Sequence, residues 1–334
     1  MIAGSLCDCK RSHRGQSKKR VQVGHRGPPL TIATVHKSTL LRSRYTGEMS
    51  AILIRQAQPE DAPDSARICY EAFHKINTEH GFPPDMPSVE HAANVMSAMF
   101  GHPGFYCVVA EEDGHIVGSN CMDERSPIAG IGPITVDPRV QNRGVGRKLM
   151  RAVMDRAGER KFPGVRLVQA AFHTRSLSLY ATLGFDAREP LSVMQGSPIR
   201  KKLEGYTVRS ASIADLDACN RVSLKVHGHH RGGDLADSIA QGSAAVVERH
   251  GRITAYCSSL AFFGHAVGET NLDLQALIAA AEGFGGPGIL VPTRNAELFR
   301  WCLANGLRVV EPLTLMTVGL YNEPAGAYLA SISY

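Results

Sequence analysis

The two longest stretches free of formally charged side chains, residues 91–110 and 253–268, each contain histidine, and the longer is interrupted by Gly101, Pro103 and Gly104. A membrane-spanning helix needs about 20 predominantly apolar residues, so none is expected. A CxxC pair is also missing. Of the eight cysteines, Cys69, Cys107, Cys121, Cys219, Cys257 and Cys302 stand singly, mostly inside apolar runs. A disulfide framework or a zinc ribbon needs clustered cysteines, so these six read as small buried hydrophobes. Cys7 and Cys9, with His13, come nearest to a metal cluster, but no second ligand pair follows. No metal is expected. The body of the chain lacks a charge excess as well. Residues 1–48 hold ten Lys or Arg against Asp8 and Glu48, a net of +8 in a chain whose total is +6, which leaves −2 for the rest. A body without a basic field points away from nucleic acid and membrane surfaces as partners.

The basic segment 1–48 shows no helical or strand periodicity and no apolar core of a secretory signal. It reads as a disordered tail: a flexible extension, a transit peptide, or the product of a translation start placed too far upstream of Met49. The remainder is rich enough in apolar residues, with 43% hydrophobic in a chain of 334, to bury a core in two domains.

From residue 52 the pattern alternates. A strand over 52–58 is followed by helices over 61–80 and 88–100, the first with Ala62, Ala66, Cys69, Phe73 and Ile76 at helical spacing. Strands over 105–111, 115–122 and 128–136 follow, the first two joined by Asp113-Gly114, a strong hairpin signal. A helix over 145–162, a strand over 165–172, a helix over 177–183 and a strand over 190–194 complete a β-α-α-β-β-β-α-β-α-β unit. This is a mixed-sheet α/β (α+β) domain.

The junction between the 128–136 strand and the next helix is the most informative segment. Gln141, Arg143, Gly144 and Gly146 occupy a short loop, and Arg139, Arg143, Arg147, Lys148 and Arg151 occur with no acid between Asp137 and Asp155. Glycines admit close approach of a ligand to the backbone. The first amides of the helix lack intrahelical acceptors, and the helix dipole adds partial positive charge. The segment is suited to a phosphate or pyrophosphate.

With Gln141-Asn-Arg-Gly144-Val-Gly146, and with Leu179-Tyr180 followed by Gly184-Phe185 downstream, the sequence resembles the GNAT superfamily of acyl-CoA-dependent N-acetyltransferases over residues 52–198. The resemblance implies acetyl-CoA as acyl-donor cosubstrate. The loop residues Gln141, Asn142, Arg143, Gly144, Val145, Gly146 and Arg147 would hold its pyrophosphate. The backbone of Ile134, Thr135 and Val136 would pair with the pantetheine arm, and a bulge would splay the fourth and fifth strands. A small-molecule or peptide amine would attack the thioester directly. A backbone N–H of the fourth strand would stabilise the oxyanion, and Tyr180 would protonate the leaving thiolate as general acid. A cytoplasmic enzyme, monomer or homodimer, is implied. Two departures stand out. His173 occupies the usual Asn position, where it would hydrogen-bond the pantetheine or approach the thioester. No carboxylate lies on the 128–136 strand, so no general base is assigned; Glu111, Glu112, Asp123 and Glu124 are the acids nearby. A non-catalytic acyl-CoA-binding or regulatory module is the alternative.

The rest of the chain repeats the unit. Val208-Arg-Ser-Ala echoes Ile54-Arg-Gln-Ala, and Gly306 to Met316 lies over Gly184 to Met194 without a gap, at an offset of 122. That offset sets Asn295 opposite His173 and Cys302 opposite Tyr180. The repeat's third helix, over about 272–282, follows a loop without paired glycines or basic residues. The expected organisation is a tail over 1–48, a catalytic GNAT domain over 49–204 and a degenerate GNAT-like copy over 205–334. Two further motifs, Gly283 to Gly288 (GxGxxG) and His227, His229, His230 with Asp234, are read as a helix-to-strand loop and an inter-helix loop, not as a dinucleotide or metal site.

Overall fold

The computed structural model describes residues 51–334; the tail calls on Cys7, Cys9, His13 and Met49 lie outside the described residues. The first copy runs β1 (Leu53–Gln56), α1 (Ala62–Glu79), α2 (Val89–Gly101), β2 (Phe105–Glu112), β3 (His115–Asp123), β4 (Ile128–Val136), α3 (Val145–Glu159), β5 (Gly164–Ala170), α4 (Thr174–Thr182) and β6 (Asp186–Gln195). The second repeats the order with β7 (Thr207–Ser210), α5 (Leu216–His227), α6 (Gly232–Ala240), β8 (Ala245–Arg249), β9 (Arg252–Cys257), β10 (Ala266–Gly268), α7 (Asn271–Ala280), β11 (Ile289–Pro292), α8 (Ala296–Ala304) and β12 (Arg308–Gly319), then adds β13 (Ala327–Leu329). The predicted element order holds. The helix expected from residue 177 starts three residues earlier, at Thr174, and the last strand of the first copy starts at Asp186.

Strand alternation sends neighbouring residues of β2 to opposite faces. Cys107 and Val109 pack with α1 and α2 through Ala66, Cys69 and Met96. Val108 and Ala110 pack with α3 through Leu149 and Val153. All six described cysteines are buried free thiols.

The duplication extends to side-chain networks. Arg55 binds Asp61 at 2.7 and 2.8 Å and Glu111 at 2.8 Å, and Arg209 binds Asp215 at 2.8 Å and Glu248 at 2.6 and 2.9 Å. Both hairpins turn through left-handed pairs, Asp113-Gly114 at φ 51 and 75 and His250-Gly251 at φ 52 and 73. Such a turn matches the twist of the flanking strands.

The copies do not part at residue 204. An eight-stranded sheet has the order β1-β2-β3-β4-β5-β12-β6-β11. The last strand of the second copy is thus inserted between β5 and β6 of the first, antiparallel to both. In return β6 pairs with β11 of the second copy. In the β6–β12 ladder Leu191 faces Leu313, its own counterpart at the 122-residue offset, with Pro190 facing Thr314 and Ser192 facing Pro312. A local pseudo-two-fold axis therefore passes through this pair. The described residues belong to one compact unit.

Candidate active site

The site follows from a break in strand pairing. β4 and β5 are parallel partners only from Ile128–Gly164 to Ile131–Leu167. Against β3, β4 carries one extra residue between Ile131 and Ile134, a bulge at Gly132-Pro133. Beyond it β4 and β5 diverge around a cleft of about 930 Å³. Ile134, Thr135 and Val136 line it from β4, and Gln141, Asn142, Gly144, Val145, Gly146 and Arg147 from the loop and α3. His173 and Tyr180 line it from the α4 side.

Arg143 is the predicted site residue whose side chain is not among those lining the cleft. Its guanidinium turns to Glu112 on β2 in a two-pronged ion pair. Arg139 is likewise held by Asp137, and Lys148 reaches the Ile52 carbonyl at 3.3 Å. The run without acids in sequence is therefore partly neutralised, by Asp137 at its own edge and by Glu112 from β2. Arg175, at the start of α4, joins the cleft instead and donates to Gln141 Oε1 at 3.3 Å and Asn142 Oδ1 at 2.8 Å.

Gly144 caps α3 at φ 82, a left-handed conformation that a side chain would strain. No side chain caps this helix and no acid sits in its first turn. Its leading amides and Arg147 together suit an anion. The corresponding helix of the second copy is closed. Thr270 and Asp273 form a capping box at α7, and Asp273, fully buried, accepts from both Thr254 and Thr270 hydroxyls at 2.6 Å. Glu269 beside it is held by Arg252 and Lys225. The strand slot of the second copy is filled too. β13 pairs with β10, and Ala330 bridges to Leu290 of β11.

Tyr180 is 7% exposed, and burial pushes its phenol above the ordinary range. The phenol therefore stays protonated across the physiological range, as a general acid must. His173 precedes α4 without capping it, whereas Asn295 accepts from the Leu298 amide at 3.3 Å and caps α8. Burial first, then Arg175, depresses the His173 imidazole below its usual range, so it is neutral at neutral pH. Cys302, opposite Tyr180 in the repeat, is fully buried, and burial pushes its thiol up to about 12.

A carboxyl pair that sequence reasoning missed lies in the same cleft. Glu311 comes from β12 and is 2% exposed; Asp85 comes from the loop after α1 and accepts from Asn77 Nδ2 at 2.9 Å. The two carboxyls hydrogen-bond each other, and burial raises both above the carboxylate range. Glu311 is raised further by the charge of Asp85. The one available signal was the Glu-Pro-Leu shared by both copies at 189–191 and 311–313.

Among the described residues no group of three or more His, Cys, Asp or Glu is placed to hold a metal. The histidines after α5 are engaged otherwise: His229 Nε2 meets the Tyr334 hydroxyl at 2.8 Å, and Asp234 bonds Arg231 at 2.8 Å. No helix among the described residues is long and apolar enough to cross a membrane.

Residues 68–185 match the model of the Acetyltransferase (GNAT) family. Over 146 residues the chain is 29% identical to the L-amino acid N-acetyltransferase AaaT of Escherichia coli (strain K12), covering 41% of this chain and 85% of that protein. Two solved structures share the fold across both copies. A GCN5-related N-acetyltransferase from Sphaerobacter thermophilus superposes with a TM-score of 0.56 at 18% identity, covering 84% of this chain and 98% of that one. A tandem GNAT protein from the clavulanic acid biosynthesis pathway gives 0.50 at 11% identity, covering 80% and 98%. The chain thus carries a GNAT acetyltransferase domain over residues 68–185, within a tandem GNAT fold.

Proposed function

We propose that the protein is an acetyl-CoA-dependent N-acetyltransferase that works in its first copy by direct attack of a primary amine on the thioester. The observation that carries this reading is the asymmetry of the two junctions: α3 opens uncapped beside a splayed β4–β5 slot, while α7 and its slot are occupied by the chain itself. In the first copy the amides that open α3 hold the pyrophosphate, with Arg147 and Arg175 at its flanks. The pantetheine arm pairs with the β4 edge between Ile134 and Val136. Neutral His173 lies where it can hydrogen-bond that arm. Tyr180 donates its proton to the departing thiolate. Bound acetyl-CoA supplies the activated acyl group, and the chain's own residues orient it and move protons.

Incubating the full chain with acetyl-CoA and a panel of primary amines, while following free thiol, tests this reading. Thiol release that depends on the amine is expected. Tight acetyl-CoA binding without release across the panel would favour a non-catalytic binding module.

A further inference from the structure

We propose that the second copy completes the active site of the first: Glu311, paired with Asp85, binds the acceptor's amino group and takes its proton, and the acceptor is a primary amine on an apolar body without an adjacent carboxylate. The inference rests on the reading above, that this cleft acetylates an amine.

Strand exchange puts Glu311 in place. It reaches the cleft only because β12 lies between β5 and β6, with the Pro312 carbonyl accepting from the Ala171 amide at 3.1 Å. Its counterpart at the 122-residue offset is Glu189 on β6, which is 4% exposed. There Arg294 neutralises the carboxylate with bonds of 2.8 and 3.0 Å. The residue equivalent to Arg294 in the first copy is Phe172. Glu311 therefore sits at the same depth without the cation, and Glu311 Oε1 is a buried oxygen with no partner. A buried carboxyl left this way costs stability, and an arriving ammonium removes the cost.

The surroundings define the rest of the ligand. Phe82 stacks on Phe172 with ring centroids 4.4 Å apart, and the Phe82 amide is bonded to Asn77, the residue that also holds Asp85. Phe172, Leu313 and Ile332 are the apolar side chains that line the cleft here. The other titratable groups lining the cleft are Lys75 and Glu79 on α1, His80 just after it, Arg147 on α3, and His173, Arg175 and Tyr180 on the α4 side, while the buried Cys69 thiol feels the charge of Asp85. Lys75 is exposed, and its ammonium lies 3.9 Å from Glu79. A carboxylate next to the acceptor's nitrogen would be brought against the Asp85–Glu311 pair, and like charges in a buried site repel strongly.

Because burial raises both carboxyls, the pair retains a proton at neutral pH and presents one negative charge. The arriving ammonium passes one proton to the pair. The nitrogen lone pair forms the C–N bond, the C–S bond breaks, and the thiolate takes the Tyr180 proton. The second nitrogen proton restores the phenol through solvent, and the pair returns its proton to bulk, for a net release of one.

Calorimetric titration of the full chain with 2-phenylethylamine and with phenylalanine tests the inference, alongside a titration with acetyl-CoA. Phenylethylamine is expected to bind at least about tenfold more tightly than phenylalanine. The double variant Asp85→Asn/Glu311→Gln should lose at least about thirtyfold in amine affinity, with acetyl-CoA affinity unchanged. Thermal melts give a second readout that needs no ligand. Raised carboxyls mean that the folded protein binds more protons than the unfolded chain. Stability is therefore full in the acid range and falls as pH rises through the pair's raised values. The double variant should lose that decline, as each single variant should in part. Equal amine affinity in wild type and double variant, a preference for phenylalanine, or no saturable phenylethylamine binding would overturn the proposal. Failure to bind acetyl-CoA would instead sink the acetyltransferase reading.

Discussion

Residues 49–204 expressed alone are expected to be unfolded. Without β12, β5 loses its antiparallel partner over the seven positions from Ala170 to Gly164, and β6 is cut from the sheet. Leu313, Leu315 and Met316 leave the two hydrophobic cores they fill. Full burial of each such side chain contributes about 1.5–3 kcal/mol. Losing three removes much of the roughly 5–15 kcal/mol that stabilises a domain. Circular dichroism and a denaturant melt check this, and adding residues 205–334 in trans should restore a cooperative transition. A fragment that melts as cooperatively as the full chain would show that the exchanged strand is dispensable.

Tyr180→Phe should lower turnover at least about tenfold, the low end of what losing a positioned acid costs. Acetyl-CoA affinity should hardly move, because the ring still packs against Phe185, whose centroid is 6.2 Å away. Single-turnover thiol release against direct acetyl-CoA titration separates the two effects. An unchanged rate would remove Tyr180 from the chemistry.

What was legible in the sequence is what local chemistry dictates. Hairpin glycines, helical periodicity and the Gly144–Gly146 loop each speak through neighbours a few residues away, and the element order followed from them. The repeat at an offset of 122 was equally plain, but its consequence was not. Leu191 facing Leu313 is a contact across more than a hundred residues, and no periodicity announces which copy a strand will join. The same limit explains the site. The loop residues and Tyr180 were placed by motif, whereas the partner that draws Arg143 away, Glu112, comes from β2. The carboxyl pair needs a loop of one copy and a strand of the other, so a search for a base on β4 alone could not find it. Asp273 closing α7 is a similar case: read as sequence it is one helix acid, and only its bonds to Thr254 and Thr270 show a junction already filled.

The account's central claim is that one junction of the duplicated pair accepts the acyl donor and the other does not. Calorimetric titration of the full chain with acetyl-CoA measures this directly. One molecule should bind per chain, with affinity lost in Arg147→Glu and kept in Lys225→Glu, which alters only the closed junction. A stoichiometry of two, no binding at all, or indifference to Arg147→Glu would contradict it.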